Sequence, residues 1–165
     1  MARYTLFILA IFYCIWGRSQ TWDEIIKVTA SDADSNDFFG FSVSISGDRA
    51  IVGARNDDDA AGSVYFFHLS DGGTWGGEQK ITASDPDPGD QFGFSVSISG
   101  DRAIVGARTD DAAADDGGTT NSGSAYFFHL SDGGTWGGEQ KITASDAASD
   151  DEFGASVSIL SLIHI

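Results

Sequence analysis

The sequence predicts an all-β protein made as an array of one repeated, four-stranded antiparallel unit. Three observations carry that reading. The phrase Phe39 to Arg55, FGFSVSISGDRAIVGAR, returns unchanged as Phe92 to Arg108, and a third copy starts at Phe153 as FGASVSI. The stretch between phrases recurs as well, since Gly62 to Asp85 and Gly123 to Asp146 differ only where Val64 becomes Ala125. Within the phrase, apolar and polar residues alternate with the period of a strand. The steps from Phe39 to Phe92 and from Phe92 to Phe153 are 53 and 61 residues, close to the period of blade-type repeats rather than helical solenoids.

Taken in order, residues 1–19 read as a secretory signal peptide. Met1 to Arg3 leads into the apolar run Tyr4 to Trp16, which is short for a bilayer span, and Gly17 and Ser19 supply small residues before a cleavage at Gln20. An uncleaved membrane anchor is the alternative; the polar flank that follows at once favours cleavage. The chain is therefore expected to be secreted or at the cell surface. Its one cysteine, Cys14, lies inside this segment. A secreted domain without disulfides relies on its apolar core, on metal or on ring closure.

Residues 20–38 read as a leading strand and loop, because Trp22 to Asp32 aligns with Trp75 to Asp85, the end of a later unit. The first full unit spans 39–91. Phe41, Val43 and Ile45 fall on one face of its first strand, and Ser42, Ser44 and Ser46 on the other. Gly47-Asp48 makes a two-residue type II′ turn, and Arg49 to Ala54 is the returning strand. A third strand follows at Ser63 to Leu69, then a turn at Asp71-Gly72-Gly73 with Trp75 packed beneath it, then a fourth strand at Glu78 to Ala83. The second unit spans 92–152 and residues 153–159 begin a third. Residues 160–165 (LSLIHI) depart from the Ser-Gly-Asp-Arg that the repeat calls for, and read as a tail outside it on a truncated array.

At Phe39-Gly40 with Gly53-Ala54, and again at Phe92-Gly93 with Gly106-Ala107, the chain resembles the FG-GAP repeat family, whose best-known members are the integrin α-chain head domains. The resemblance covers Trp22 to Ile159. It implies blades of a seven-bladed β-propeller, of which this chain would supply about two and a half in an open arc. Arg55 and Arg108 stand where the family name expects Pro. The integrin-type calcium loop lies between the FG and GAP strands, an interval that here holds only Ser46 to Arg49, so none of its residues carries over.

Nine Lys and Arg against 25 Asp and Glu leave a formal charge of −16. Nucleic acid and anionic membrane surfaces are thereby excluded as ligands, whereas cations, basic protein patches and neutral sugars stay open. Meander geometry sorts the acids. Loops between strands two and three and between units lie at one end of each unit, which gathers Asp32, Asp34, Asn36, Asp37, Asp57, Asp58, Asp59, Asp85, Asp87, Asp90, Asp110 and Asp111 as the candidate ligand or calcium face. Asp115, Asp116, Asp146, Asp150, Asp151 and Glu152 fall at the same end, with Arg55 and Arg108 as the cations expected nearby. Two accounts fit these loops: solvated turn chemistry, and calcium held by alternating oxygen ligands, although the complete EF-hand spacing is absent.

No catalytic constellation emerges. His68 and His129 sit at equivalent strand positions and read as structural. Ser70 to Trp75 looks like a shortened sialidase Asp-box, but its spacing fits a Gly-rich hairpin better. Acid pairs such as Asp58 and Asp59 are not set apart from their neighbours as glycosidase carboxylates would be. The reading is thus a non-catalytic extracellular recognition or adhesion module that binds a protein or glycan. The alternative is a propeller segment of a larger secreted enzyme, such as a glycoside or phospholipid hydrolase.

Overall fold

The structure, a computed structural model, describes residues 26–111 and 121–160. The signal peptide with Cys14, the start of the leading strand, Asp115, Asp116 and most of the tail lie outside these residues. Eight strands form two four-stranded antiparallel sheets, each a meander in chain order. Blade one holds β1 (Phe39–Ser46), β2 (Arg49–Ala54), β3 (Ser63–Leu69) and β4 (Trp75–Ile81). Blade two holds β5 (Phe92–Ser99), β6 (Arg102–Ala107), β7 (Ser124–Leu130) and β8 (Trp136–Ile142). These are the antiparallel, nearly helix-free blades that the repeat predicts. The exception is α1 (Asp57–Ala60), a single turn in which Asp58 and Asp59 take φ of 50° and 58°.

Turn chemistry sets the register. Gly47 has φ of +61° while Asp48 stays in the ordinary range, as a type II′ turn requires, and Ser46 pairs with Arg49 across it. The fourth strand starts earlier than its sequence suggests. Ser70 and Thr74 close the turn by a 2.9 Å backbone bond, so Trp75 already pairs with Leu69 and the strand ends at Ile81 rather than Ala83. Gly77 and Glu78 together oppose Phe67, a bulge that Gly77 permits at φ of +62°.

Two expected strands are not seen among the described residues. Residues 26–38 contain no strand among those described, and residues 153–159 make one isolated bridge, Gly123 to Phe153. A strand exists by its ladder, and neither segment has a described hairpin partner to supply one.

The alternation in the repeated phrase serves the contact between blades. Val96 and Ile98 are 9% and 5% exposed because they face blade one, while their counterparts Val43 and Ile45, at the outer face of blade one, are 64% and 66% exposed. One core joins Ile51, Val64 and Phe66 of blade one to Phe92, Val96, Val105, Tyr126, Phe128 and Trp136 of blade two. The serine face points the other way. Ser42 Oγ donates to the Gly93 carbonyl at 2.7 Å, and the Ile98 and Gly100 amides donate to Ser44 and Ser46 at 3.2 and 3.0 Å. Ser95 and Ser97 repeat this toward Gly154 and Ile159.

The two signature dipeptides meet across this seam. A Cβ on Gly53 would fall on the Gly93 carbonyl and the Ser42 hydroxyl, and one on Gly93, at φ of +85°, would lie 2.6 Å from the Ser63 carbonyl. Gly106 and Gly154 are related in the same way. Hence Gly53→Ala is expected to lower the urea midpoint by the equivalent of about 2 kcal/mol, as overpacking does. Gly76→Ala, which meets nothing within 4 Å, should stay within about 0.5 kcal/mol. Equal midpoints for the two variants would remove the glycine contact as the determinant of blade spacing.

Candidate functional site

The loops between β2 and β3 and between blades do converge at one end, and what organises them is a lysine. Tyr65 on β3 and Lys80 on β4 are cross-strand partners. Lys80 Nζ lies 2.6 Å from Asp57, 2.8 Å from Asp32 and 3.3 Å from Asp58. Tyr65 Oη donates to Asp32 at 2.9 Å and also approaches Asp57 at 3.4 Å. The second blade repeats the cradle. Lys141 Nζ lies 2.7 Å from Asp85 and 2.9 Å from Asp110, and Tyr126 Oη bonds both acids. In each cradle one acid comes from the segment that precedes the blade, one from the blade's own β2–β3-type loop, and the cation from its last strand. The cradle therefore ties an incoming connector to the blade it feeds.

The electrostatics follow. Burial pulls the Lys80 ammonium down, but its bonds to Asp32 and Asp57 outweigh that and hold it above the ordinary lysine value. Lys141 behaves alike, with Asp85 and Asp110 as partners. The Lys80 bond holds Asp32 below the usual carboxylate range against a smaller burial effect. Burial, then carboxylate neighbours, push both tyrosines up, so each remains a neutral donor.

The other candidates divide by role. Asp37 and Asp90 shape their own loops, accepting the amides of Asp34 and Asp87 at 2.6 and 2.8 Å. Asp151 does the same for Ala148 at 2.7 Å. This is turn chemistry. Asp111 accepts the Asn121 amide at 2.6 Å. Asn36 and Asp59 adopt left-handed φ of 79° and 58° in exposed positions. Asp34, Asp59 and Asp87 are exposed and meet no cation among the described residues. Arg55 and Arg108, expected to serve this face, are held mainly by rings and by Gln91, although Arg108 Nη1 also lies 3.5 Å from Glu152 of the face. Arg55 lies 4.4 Å from the Phe41 ring centroid and 4.9 Å from that of Phe38, and Arg108 lies 4.4 Å from that of Phe94; both donate to Gln91 Oε1.

Lys80, Lys141, Tyr65 and Tyr126 were missed from sequence. Their signal was present, since EQKITASD and the Tyr-Phe-Phe strand both repeat, and the turn register places Tyr opposite Lys. Trp136, the copy of Trp75, also differs from the packing expected of that position. Instead of lying under its own hairpin, Trp136 stacks on Phe66 of blade one, with centroids 4.3 Å apart and planes at 16°.

Calcium does not suit these cradles, because an ammonium already stands among their carboxylates at bonding distance. Among the described residues no group of three or more His, Cys, Asp or Glu is arranged to hold a metal ion. Nor is any helix among them long and apolar enough to cross a membrane.

The sequence model of the FG-GAP repeat matches residues 22–67, 75–128 and 136–161. No curated protein matches the chain significantly.

Two outcomes follow from the cradle. Lys80→Met strands the buried Asp57 carboxylate and should cost roughly 3 kcal/mol in chemical denaturation, with Asp57→Asn in the same background restoring part of it. Failure of that rescue would show that Lys80 acts through packing. Asp90, which shapes the loop beside the second cradle, is pH-sensitive. Burial, helped by Asp110 and Asp87, raises its carboxyl from 3.8 to about 6 against the pull of the Asp87 amide. Folding then favours the protonated form, so this contribution is complete below about pH 4 and is lost as pH rises through 6. Asp90→Asn keeps an acceptor for Asp87 and should raise stability above pH 6 by roughly 2 kcal/mol, with no gain at pH 3.5. A gain independent of pH would discard the titration.

Proposed function

We propose that this chain, which belongs to the FG-GAP repeat family, is a non-catalytic extracellular recognition or adhesion module that engages a protein or glycan through its acidic loop face. One observation carries the reading. Once Lys80 and Lys141 have taken their carboxylates, Asp34, Asp59 and Asp87 remain exposed at the same end of the blades. Such a field attracts basic groups, raises encounter rates and repels acidic partners. The blades hold that face in place, because each loop on it adjoins a strand whose register is set by its neighbours. The ligand best matched is a basic protein patch. The cradle carboxylates already have an ammonium beside them, so this binding is taken to proceed without calcium.

The test is binding of the chain to arrays of extracellular proteins and glycans at low and high salt, beside Asp34→Asn, Asp59→Asn and Asp87→Asn combined. Exposed ion pairs are worth about 0.2–1 kcal/mol each, so the triple variant should bind roughly tenfold more weakly and lose most of the salt dependence. Affinity should be the same in millimolar calcium and in chelator. A ligand indifferent to both salt and the substitutions would move recognition off this face, and turnover of an arrayed ligand would overturn the non-catalytic reading.

A further inference from the structure

Between the two blades, at the end opposite the acidic loops, lies a cavity of about 320 Å³. Its place follows from register, because Arg49 and His68 are cross-strand partners beside the Gly47-Asp48 turn, at the far end of β2 and β3 from Asp57. The inner wall is apolar. Phe66 of blade one and Trp136 of blade two, 2% and 6% exposed, stack there with centroids 4.3 Å apart, and Leu130 lies beside them. Gln79 fixes this wall: its Nε2 donates to the Trp136 carbonyl at 2.8 Å and its Oε1 accepts the Trp136 amide at 2.9 Å. The mouth is polar, lined by Arg49 and by His68 and Gly77, both exposed. Apolar walls with a few placed polar groups, in about 300–1,000 Å³, are how small-molecule pockets are built.

The mouth selects the ligand. The Asp48 carboxylate accepts from Arg49 Nη1 at 3.2 Å and from His68 Nε2 at 3.0 Å. A carboxylate only accepts, so His68 carries its proton on Nε2 and, when neutral, presents Nδ1 as an acceptor, while the guanidinium keeps further N–H donors. Donor and acceptor thus stand side by side, and the charges of Asp48 and Arg49 offset each other. An anion would meet Asp48 and a chain of charge −16, an ammonium would meet Arg49, and a hydrocarbon would strip water from both without replacing it. A hydroxyl both donates and accepts, and the C–H surface of a sugar ring suits the wall.

Blade two arranges the same residues differently. A Cβ on Gly138 would fall on the His129 ring, whereas one on Gly77 would meet nothing within 4 Å. Asp48 holds His68 off its glycine, and the bulge at Gly77 takes that backbone out of the β3–β4 ladder.

We propose that this cavity binds a neutral sugar unit, with Arg49, His68 and Asp48 taking its hydroxyls and Phe66 and Trp136 its C–H surface. The site is separate from the acidic face and does not rest on the function assigned to that face.

Calorimetric titration of the full chain with the methyl glycosides of glucose, galactose, mannose and N-acetylglucosamine tests this, with NMR of the Trp136 indole N–H as the local readout. At least one glycoside should bind and shift that signal, and the uronate and the amino sugar of the same configuration should bind roughly tenfold more weakly. His68→Ala and Arg49→Gln should each cost roughly tenfold in affinity, as loss of a ligand hydrogen bond does. His68 is exposed, so its variant reports on the site rather than on folding, and His129→Ala, the matched change in blade two, should leave affinity unaltered. Four results would overturn the proposal: no neutral glycoside binds, the uronate binds as tightly as its parent sugar, affinity survives both the His68 and Arg49 changes, or affinity falls instead on the combined Asp34→Asn, Asp59→Asn and Asp87→Asn change, which would assign the sugar to the acidic face.

Discussion

The blade pair depends on two backbones coming closer than any side chain would allow. Gly93 lies on Gly53, and the space a Cβ would need is already occupied by a carbonyl and a hydroxyl. Several other features become possible once that approach is made. Phe92 reaches full burial, the Ser42 hydroxyl finds the Gly93 carbonyl, and the Phe92 amide bonds Ala61 at 2.8 Å. A larger residue on either side would push β5 outward and weaken all of these together, because packed interiors do not give by fractions of a side chain. The FG and GA dipeptides are therefore two halves of one joint, and each half belongs to a different blade.

Charge is handled by the same economy of neighbours. A chain with this excess of carboxylates would be expected to repel itself where its loops crowd, yet the most buried acids in the cradles, Asp57 and Asp110, lie beside a lysine and a tyrosine hydroxyl. A buried carboxylate without such partners would be costly, and its neutral alternative would give up the ion pair. The cradle also spans segments: Asp32 precedes blade one, and Asp85 precedes blade two. Electrostatics thus joins each blade to the segment leading into it, while the apolar core joins it to the blade behind.

Most of the fold was legible because it rests on period and turn. The alternation of Val43, Ile45 and the serines, the Gly47-Asp48 turn and the verbatim return of the phrase require no tertiary knowledge. The start of β4 was misplaced because Trp75, Gly76 and Gly77 read as turn residues, although the backbone bond between Ser70 and Thr74 ends the turn before them. The acidic face was legible as a location and misread as a composition. Lys80 is 48 residues from Asp32 and 22 from Asp58, and its reach is a property of the pleat and of the chain's entry point. Arg55 and Arg108 lay nearer in sequence, but the aromatic rings of Phe38, Phe41 and Phe94 hold their guanidinium groups, and of the two it is Arg108 that also pairs with an acid of the face, Glu152.

The verbatim repetition of the phrase has a cost during folding. β1 and β5 share one sequence, and so do β2 and β6, so the side chains that pair β1 with β2 would pair it equally well with β6. Nothing in the strands distinguishes the right partner from the wrong one. That choice is left to chain length, because the two-residue Gly47-Asp48 turn closes far more readily than a loop through an entire blade. Correct assembly is consequently a matter of timing: a hairpin that closes late meets a chemically identical competitor, and at high concentration that competitor can come from another molecule.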